Sequence, residues 1–306
     1  MGYHFKNCKI CSFVGAKPKY KLRKAIVWVC PVCGFHYTDY LDPVQGFDSV
    51  IQPDALTPQQ ESYIENNLQF NSQRFQNHAD LVQQYANLEG IRILDVGCGG
   101  GLFLFLSKQK GAEVLGLELN DARIKFAQSV YGLSVHKYPV EHDFWQRQFK
   151  GAFDVITLWD VIEHVNFPLQ SLQAVTNLLR PGGLLFLDTP CRDAFYHRFG
   201  SLSYRLTFGR FPTFLNAMYA NDLFGHKQIF STREMKELLE RLHFEILQFN
   251  KIHELSFPYN FYLKKLLLSD VLTEIVDPFA KVFFKIARIR NKMVVVGRKQ
   301  MDSAGK

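Results

Sequence analysis

The sequence predicts an α/β fold in which a parallel sheet is covered by helices on both faces. Three observations lead there. Between about residues 90 and 190, short apolar runs alternate with helical stretches, a rhythm that parallel strands joined by crossover helices satisfy. The first run, "ILDVGCGGG" from Ile93 to Gly101, ends in an acid followed by glycines, at the strand end where such sheets bind ligands. Four cysteines in two close pairs near the N-terminus mark a small lobe with its own source of stability.

That lobe spans residues 1–44. Cys8-x-x-Cys11 and Cys30-x-x-Cys33 frame a loop of eighteen residues. Two residues between thiolates let one tight turn point both sulfurs at one ion, and two such turns complete a tetrahedral site. Structural zinc is the expected ion, with rubredoxin-like iron as the alternative. Four sulfurs leave no open position for catalysis. The intervening "KPKYKLRK" (Lys17 to Lys24) is basic and reads either as a phosphate contact or as a solvated hairpin.

Residues 45–89 read as a linker and N-terminal cover: loop signals, then a polar helical stretch with Thr57 as N-cap and Pro58 at the first helical position. The core pattern follows. "IRILDVG" is a strand, Leu102 to Lys110 a helix, "AEVLGLEL" a strand, Asp121 to Tyr131 a helix. "LSVHKY" and "FDVITLW" are strands, a helix covers about 168 to 179, and "GLLFLDTP" is a further strand. Residues 191–225 break the rhythm with aromatics, arginines and glycines. Ser231 then caps the helix "STREMKELLERL", and "FEILQF" and "KMVVVGRK" read as the last strands.

Composition sets outer limits. The 306 residues are 47% hydrophobic and 21% charged, with a net charge of +7 and a pI of about 9.0. The mild basic excess fits an anionic partner such as a phosphorylated metabolite, RNA or an acidic membrane, or simply a solvated face. The N-terminus has no apolar signal region, and no apolar run approaches the ~18 residues of a spanning helix. A cytoplasmic, reducing compartment is expected, where paired cysteines bind metal more often than they form disulfides.

A glycine loop after a strand serves several nucleotide folds. Here three features point away from a dinucleotide. Asp95 ends the strand, which suits an ammonium group better than a pyrophosphate. The spacing is G-x-G-x-G over Gly97, Gly99 and Gly101. Glu118 ends the next strand, where an acid can accept both ribose hydroxyls. With "VLGLELN", "FDVITLWDVIEHV" and "LLRPGGLLFLDTP" following in order, the chain resembles the class I S-adenosylmethionine (SAM) dependent methyltransferases. The resemblance implies a Rossmann-like seven-stranded, mostly parallel sheet whose last strand is antiparallel, in a domain covering 90–306. It also implies that Asp95, Gly97, Cys98, Gly99 and Gly101 cradle the methionine part. Glu118 and Leu119 would hold the ribose, Val140 and Glu141 would flank the adenine, and Trp159 would line the cleft.

Methyl transfer from a sulfonium needs a positioned nucleophile, and a base only when that nucleophile carries a proton of high pKa. Candidates after the fourth strand of this domain are Asp160, Glu163 and His164, joined by His226. Small-RNA 2′-O-methyltransferases bind a divalent ion with Glu-x-x-Glu-His and a later His, and ubiquinone-pathway O-methyltransferases are similar around "EH". A second divalent ion at Asp160, Glu163, His164 and His226 is one expectation, and His164 as a metal-free base another. Asp160 in place of Glu is a departure that shortens the reach.

Residues 191–225 fall where this superfamily inserts its substrate cover, with Tyr196, His197, Arg198, Tyr204, Arg205 and Arg210 as candidates to clamp an anionic or aromatic acceptor. Residues 260–290 are apolar and basic, interrupted by Pro278, and read as a peripheral membrane or dimer contact. The four-cysteine lobe on this domain is similar to that of bacterial enzymes modifying sugars, polyketides or surface-polysaccharide precursors. It is also similar to that of large-subunit rRNA guanine methyltransferases with a zinc ribbon. The expected function is methylation of a small molecule through oxygen or carbon. RNA methylation and a non-enzymatic partner module are the alternatives.

Overall fold

The computed structural model describes residues 3–43, 56–220, 225–267, 269–287 and 289–301. The loop expected from residue 45 and the end of the substrate cover lie partly outside the described residues, as does the expected C-terminal boundary at 306. The chain begins with an antiparallel three-stranded sheet, β1 (Lys17–Lys21), β2 (Ile26–Val29) and β3 (His36–Thr38), in that spatial order. Two helices follow, α1 (Pro58–Phe70) and α2 (Ser72–Tyr85). Thr57 caps α1 in a capping box with Gln60, and Pro58 opens it, as expected of a residue without an amide hydrogen.

The alternating region forms β4 (Arg92–Val96), α3 (Leu102–Gln109), β5 (Glu113–Leu117), α4 (Asp121–Tyr131), β6 (Val135–His136), α5 (Asp143–Gln148), β7 (Phe153–Trp159), α6 (Pro168–Leu178) and β8 (Leu179–Pro190). The chain continues through α7 (Phe195–Leu206), α8 (Thr213–Met218), α9 (Thr232–Arg241), β9 (Phe244–Ile252), α10 (Tyr259–Leu267), α11 (Asp270–Ala287) and β10 (Lys292–Lys299). Seven strands make one sheet in the order β6-β5-β4-β7-β8-β10-β9. The last strand, β10, runs antiparallel to both neighbours, while the pairs from β6 to β8 are parallel.

Side chains alternate across this sheet, as its pleat requires. Ile93, Val155, Phe186 and Val296 pack on one face against α2, α3 and α4. Leu94, Ile156, Leu185 and Val295 pack on the other against α5, α6 and α9. Both faces are therefore covered, which is why the strands read as continuous apolar runs. The cysteine lobe shares the second core: Phe35 meets Phe230 with ring centroids 4.9 Å apart.

The structure corrects several expectations. The helical stretch after Thr57 is broken at Asn71, whose amide donates to Asn67 O and Ser256 O. That pull on a distant loop turns the chain between α1 and α2. The strand around "LSVHKY" shortens to Val135–His136. Residues 191–220 are largely helical, not irregular. Pro278 does not interrupt its segment: α11 runs through it. Its missing amide hydrogen costs one helical bond and leaves the turn otherwise continuous.

Candidate active site

The sheet reverses its order between β4 and β7, and the crevice at their carboxyl ends is the site such sheets offer to ligands. The glycine loop starts there. Gly97 N and Cys98 N both donate to Leu117 O, at 2.7 and 2.9 Å, folding the loop over the end of β5. Gly97 has φ +73°, and a Cβ built on it would lie 2.6 Å from Val161 Cγ2. Gly99 has φ +56° with nothing within 4 Å of its Cβ position. Gly97 is thus closed against the loop after β7, and Gly99 faces open space where a ligand can approach the backbone. Gly101 begins α3. Over the loop lies α1, with Leu68 and Ile64 at 2.9 and 3.0 Å from a Cβ on Gly100.

Two carboxylates flank this space. Asp95 is buried and accepts from Thr157 Oγ1 at 2.6 Å across the β4–β7 pair. Burial pushes its carboxyl up to about 8, with Glu118 and Asp188 adding to the rise and Thr157 opposing it. Glu118 is aligned by three amides: Gly99 N to Oε2 at 2.9 Å, and Leu119 N and Asn120 N to Oε1 at 2.7 and 2.9 Å. This donor set fits SAM. A cation beside Asp95 would restore its charge, and a carboxylate fixed at a strand end accepts a ribose diol. Val140 is buried and Leu119 packs partly buried with it in the same cluster. Glu141 is exposed and accepts from Ser171 Oγ.

Two expected lining residues sit in the core. Cys98 is buried with its thiol pushed well up by burial, and acts as a small apolar residue against Gly116, whose Cβ position is 2.7 Å from Cys98 Sγ. Trp159 is stacked on His78 at 3.8 Å and 9° and meets Phe103 edge-on at 5.7 Å. It packs beneath α2 at the cleft floor.

Asp160 takes the left-handed conformation, φ +55°. Its amide donates to Asp188 Oδ1 at 2.6 Å. Its carboxylate is held by Arg74 at 2.7 Å, by Ser256 Oγ at 2.8 Å and by Lys292. Arg74 also reaches Glu254 at 2.8 Å and Asp188 at 3.2 Å. Burial alone would raise the Asp160 carboxyl, but Arg74 and Lys292 hold it down to about 2. The same cations overcome burial at Asp188 and hold it well below the usual range. Asp160 is therefore committed to a buried ion network, and the expected four-residue metal set loses it. Sequence reasoning missed Arg74, Asp188, Glu254 and Lys292. A charge inside one apolar strand, "FLDTP", and at the start of another, "KMVVV", was the available signal.

The remaining three candidates converge. Ligand atoms of Glu163, His164 and His226 lie within 4.8 Å of one another, and the two imidazole rings are 4.7 Å apart. Glu163 is fully buried and accepts from Thr189 Oγ1 at 2.9 Å; among the described residues its Oε1 has no hydrogen-bond donor, with His164 Nε2 3.8 Å away. Burial pushes its carboxyl up, with Asp160 adding to the rise. His226 is lowered to about 3 by burial and by His164. Its Nδ1 lies 3.1 Å from Met218 O. A carbonyl only accepts, so Nδ1 carries the hydrogen and Nε2 the lone pair. Residues 227 and 228 clamp the turn: Lys227 Nζ donates to His164 O at 2.7 Å, and Gln228 Nε2 to Ile162 O and Val165 O at 2.9 and 2.7 Å.

In the cover, His197 is buried against Tyr219 OH at 3.1 Å, and Tyr204 packs on Tyr20. Arg198, Arg205 and Arg210 are exposed, and Tyr196 is half-buried. At the N-terminus, Cys8, Cys11, Cys30 and Cys33 bring their sulfurs within 4.8 Å of one another and form no disulfide. The closest pairs are Cys8–Cys33 at 3.5 Å and Cys11–Cys30 at 3.6 Å. Tetrahedral zinc with bonds of about 2.3 Å places sulfurs about 3.8 Å apart, so the set fits such an ion. The lobe reaches the cleft through β3, where Thr38 N donates to Lys227 O at 2.7 Å and Tyr37 bridges Gln228.

The chain is similar to known methyltransferases. A ubiquinone biosynthesis O-methyltransferase of Leptothrix cholodnii is 36% identical over 116 residues, 36% of this chain and 49% of that protein. Its Pseudomonas aeruginosa counterpart is 33% identical over 115 residues, 37% and 50% of the two chains. The chain thus spans about half the length of the curated relatives it matches. A solved candidate methyltransferase from Bacillus halodurans C-125 shares the fold at a TM-score of 0.51 and 16% identity, covering 73% of this chain and 98% of that one. The family profile described as a methyltransferase domain matches residues 70–249, more than half of the sequence and the whole of the glycine loop, Glu118 and the Asp160–His226 region. The chain belongs to the class I SAM-dependent methyltransferases.

Proposed function

We propose that this chain transfers the methyl group of SAM to an oxygen or carbon of a small-molecule acceptor. Sugars, polyketides and surface-polysaccharide precursors are the acceptor classes to test first, and the compartment is the reducing cytoplasm. The observation that carries the reading is one contact. Val161, between Asp160 and the Glu163–His164 pair, packs directly on Gly97. The residues able to handle an acceptor proton are therefore on the loop that touches the donor cradle. The relatives' description as O-methyltransferases favours oxygen.

In this reading Asp95 and Glu118 hold the ammonium and ribose, and Gly99 leaves space for the methionine chain. SAM supplies an electrophilic methyl on its sulfonium when bound. The neutral His226 presents Nε2 and His164 stands beside it, so one imidazole receives the proton of an acceptor hydroxyl as the oxygen attacks. Glu163, whose Oε1 lies 3.8 Å from His164 Nε2, orients this pair. A divalent ion would fit the same three side chains and would lower the pKa of a hydroxyl. Zinc in the four-cysteine set serves stability.

The test is turnover of labelled SAM with metabolite fractions, using the native chain and His164→Ala. The reading requires SAM binding by calorimetry, label transfer by the native chain, and loss of transfer with SAM binding retained in the variant. Absence of SAM binding refutes it in favour of a non-enzymatic module. Full turnover in strong chelator, with the cysteine lobe still loaded, removes the divalent ion and leaves the imidazole base.

A further inference from the structure

One face of the molecule lies outside the Glu163, His164 and His226 cluster. Helix α7 exposes Phe195, Phe199, Leu202 and Leu206. Their spacing of four, three and four residues puts them on one helical stripe. The turn after the helix adds Phe208 and Phe211, which are 94% and 65% exposed. Single exposed apolar residues are ordinary, but a stripe continued through a turn is a contiguous patch, and such patches mark contact sites.

The opposite side of α7 is fixed to the cysteine lobe. Tyr20 OH and Ser201 Oγ are 2.8 Å apart and Lys21 N donates to Tyr204 OH at 2.9 Å, while Arg23 N donates to Asn216 Oδ1 of the adjoining α8 at 3.0 Å. The β1–β2 hairpin and α7 are thus one unit. Its charge has one sign. The hairpin cations from Lys17 to Lys24 are exposed, Lys19 lies beside Arg205, and Arg198 and Arg210 are exposed on the same helix and the turn after it. No Asp or Glu occurs from Lys17 to Lys24 or from Ala194 to Ala220.

We propose that α7, its following turn and the β1–β2 hairpin form a docking face for an anionic lipid bilayer. The apolar stripe enters the acyl boundary and the flanking cations meet lipid phosphates, the division of labour of an interfacial helix. Among the described residues no helix is long and apolar enough to cross a membrane, so the contact is peripheral. Bilayer is favoured over nucleic acid because leucines share the stripe: Leu202 and Leu206 offer acyl chains a surface but give bases no ring to stack on. The expected segment at 260–290 is a poorer fit. α11 also exposes Val271, Ile275 and Phe279, but Asp270 and Glu274 are interspersed with them, and an anionic surface repels these.

The test is co-sedimentation of the full, metal-loaded chain with vesicles of phosphatidylcholine alone or mixed with phosphatidylglycerol. Three variants are compared: Leu206→Ser/Phe208→Ser/Phe211→Ser, Arg205→Glu/Arg210→Glu, and Val271→Ser/Phe279→Ser on α11. Circular dichroism and SAM calorimetry report folding. The proposal expects partitioning at least about tenfold stronger onto the anionic vesicles, a loss of about tenfold or more in each of the first two variants, and less than about threefold in the third. Absence of vesicle binding, or equal binding by the first two variants, overturns it. So does a dimer that the serine triple variant dissociates without any vesicle binding, which assigns the face to a second copy. RNA binding without vesicle binding also overturns it.

Discussion

Adding one methyl group at Gly97 and at Gly99 has different consequences, and the structure sets both. At Gly97 an alanine must hold φ +73° with its Cβ 2.6 Å from Val161 Cγ2. The left-handed conformation costs about 1–2 kcal/mol and overpacking about 1–3 kcal/mol. Gly97→Ala should lose about 2–5 kcal/mol, a fall in Tm of about 3–8 °C for this chain length. Val161→Ala in the same chain removes the clashing methyls and should recover the packing part only. At Gly99, φ is +56° and nothing lies within 4 Å, so Gly99→Ala should cost only the backbone part, about 1–2 kcal/mol. Its methyl projects instead into the space assigned to SAM and should weaken binding by about tenfold or more, beyond what unfolding explains. Thermal unfolding and SAM calorimetry on the four proteins measure both effects. A Gly97→Ala Tm within about 2 °C of native, or ordinary SAM affinity in Gly99→Ala, would refute the assigned division between a closed and an open side of the loop.

Three further outcomes are expected. The folded Asp95 carboxyl, at about 8, lies above its unfolded value of about 3.9, so its contribution is fully present below pH 4 and is lost as pH rises towards 8. Asp95→Asn should flatten the fall in Tm between pH 5 and 8, and parallel profiles would exclude the shift. Arg74→Met leaves Asp160 and Asp188 sharing Lys292 as their cation in the network and should cost about 3–5 kcal/mol in denaturant unfolding; a cost under about 1 kcal/mol would mean the network is solvated. Cys30→Ser removes a fully buried sulfur and should abolish stoichiometric zinc in elemental analysis while lowering Tm, whereas retained metal would remove the four-thiolate reading.

The sheet was legible because its strands are buried on both faces and so read as apolar runs with helices between them. Asp95, Gly97 and Glu118 were legible because a ligand cradle at a strand end needs particular residues at fixed spacing. The Asp160 partnership was not. Arg74 comes from a polar helix, Glu254 from the segment beyond β9 and Lys292 from the last strand, and the pairing exists only after the antiparallel strand β10 is inserted beside β8. The break at Asn71 was hidden for the same reason, since Ser256 O, one of its two acceptors, is 185 residues away. Trp159 read as a cleft residue by position, but its neighbour on α2, His78, lies in a polar stretch that gave no sign of a stacked ring.

The bridge from Tyr37 to Gln228 gives the cysteine lobe a reach beyond its own stability. Cys30 and Cys33 anchor the turn into β3, β3 pairs with the segment at 227–228, and that segment staples the turn carrying Glu163 and His164. The four-cysteine set is thus the far end of a brace on the turn that carries Glu163 and His164. Under the proposed zinc loading, a cell short of zinc would hold a population of this protein in which that turn has lost its brace. Metal supply would then reach the Glu163–His164 turn through β3 and not only the fold of the lobe.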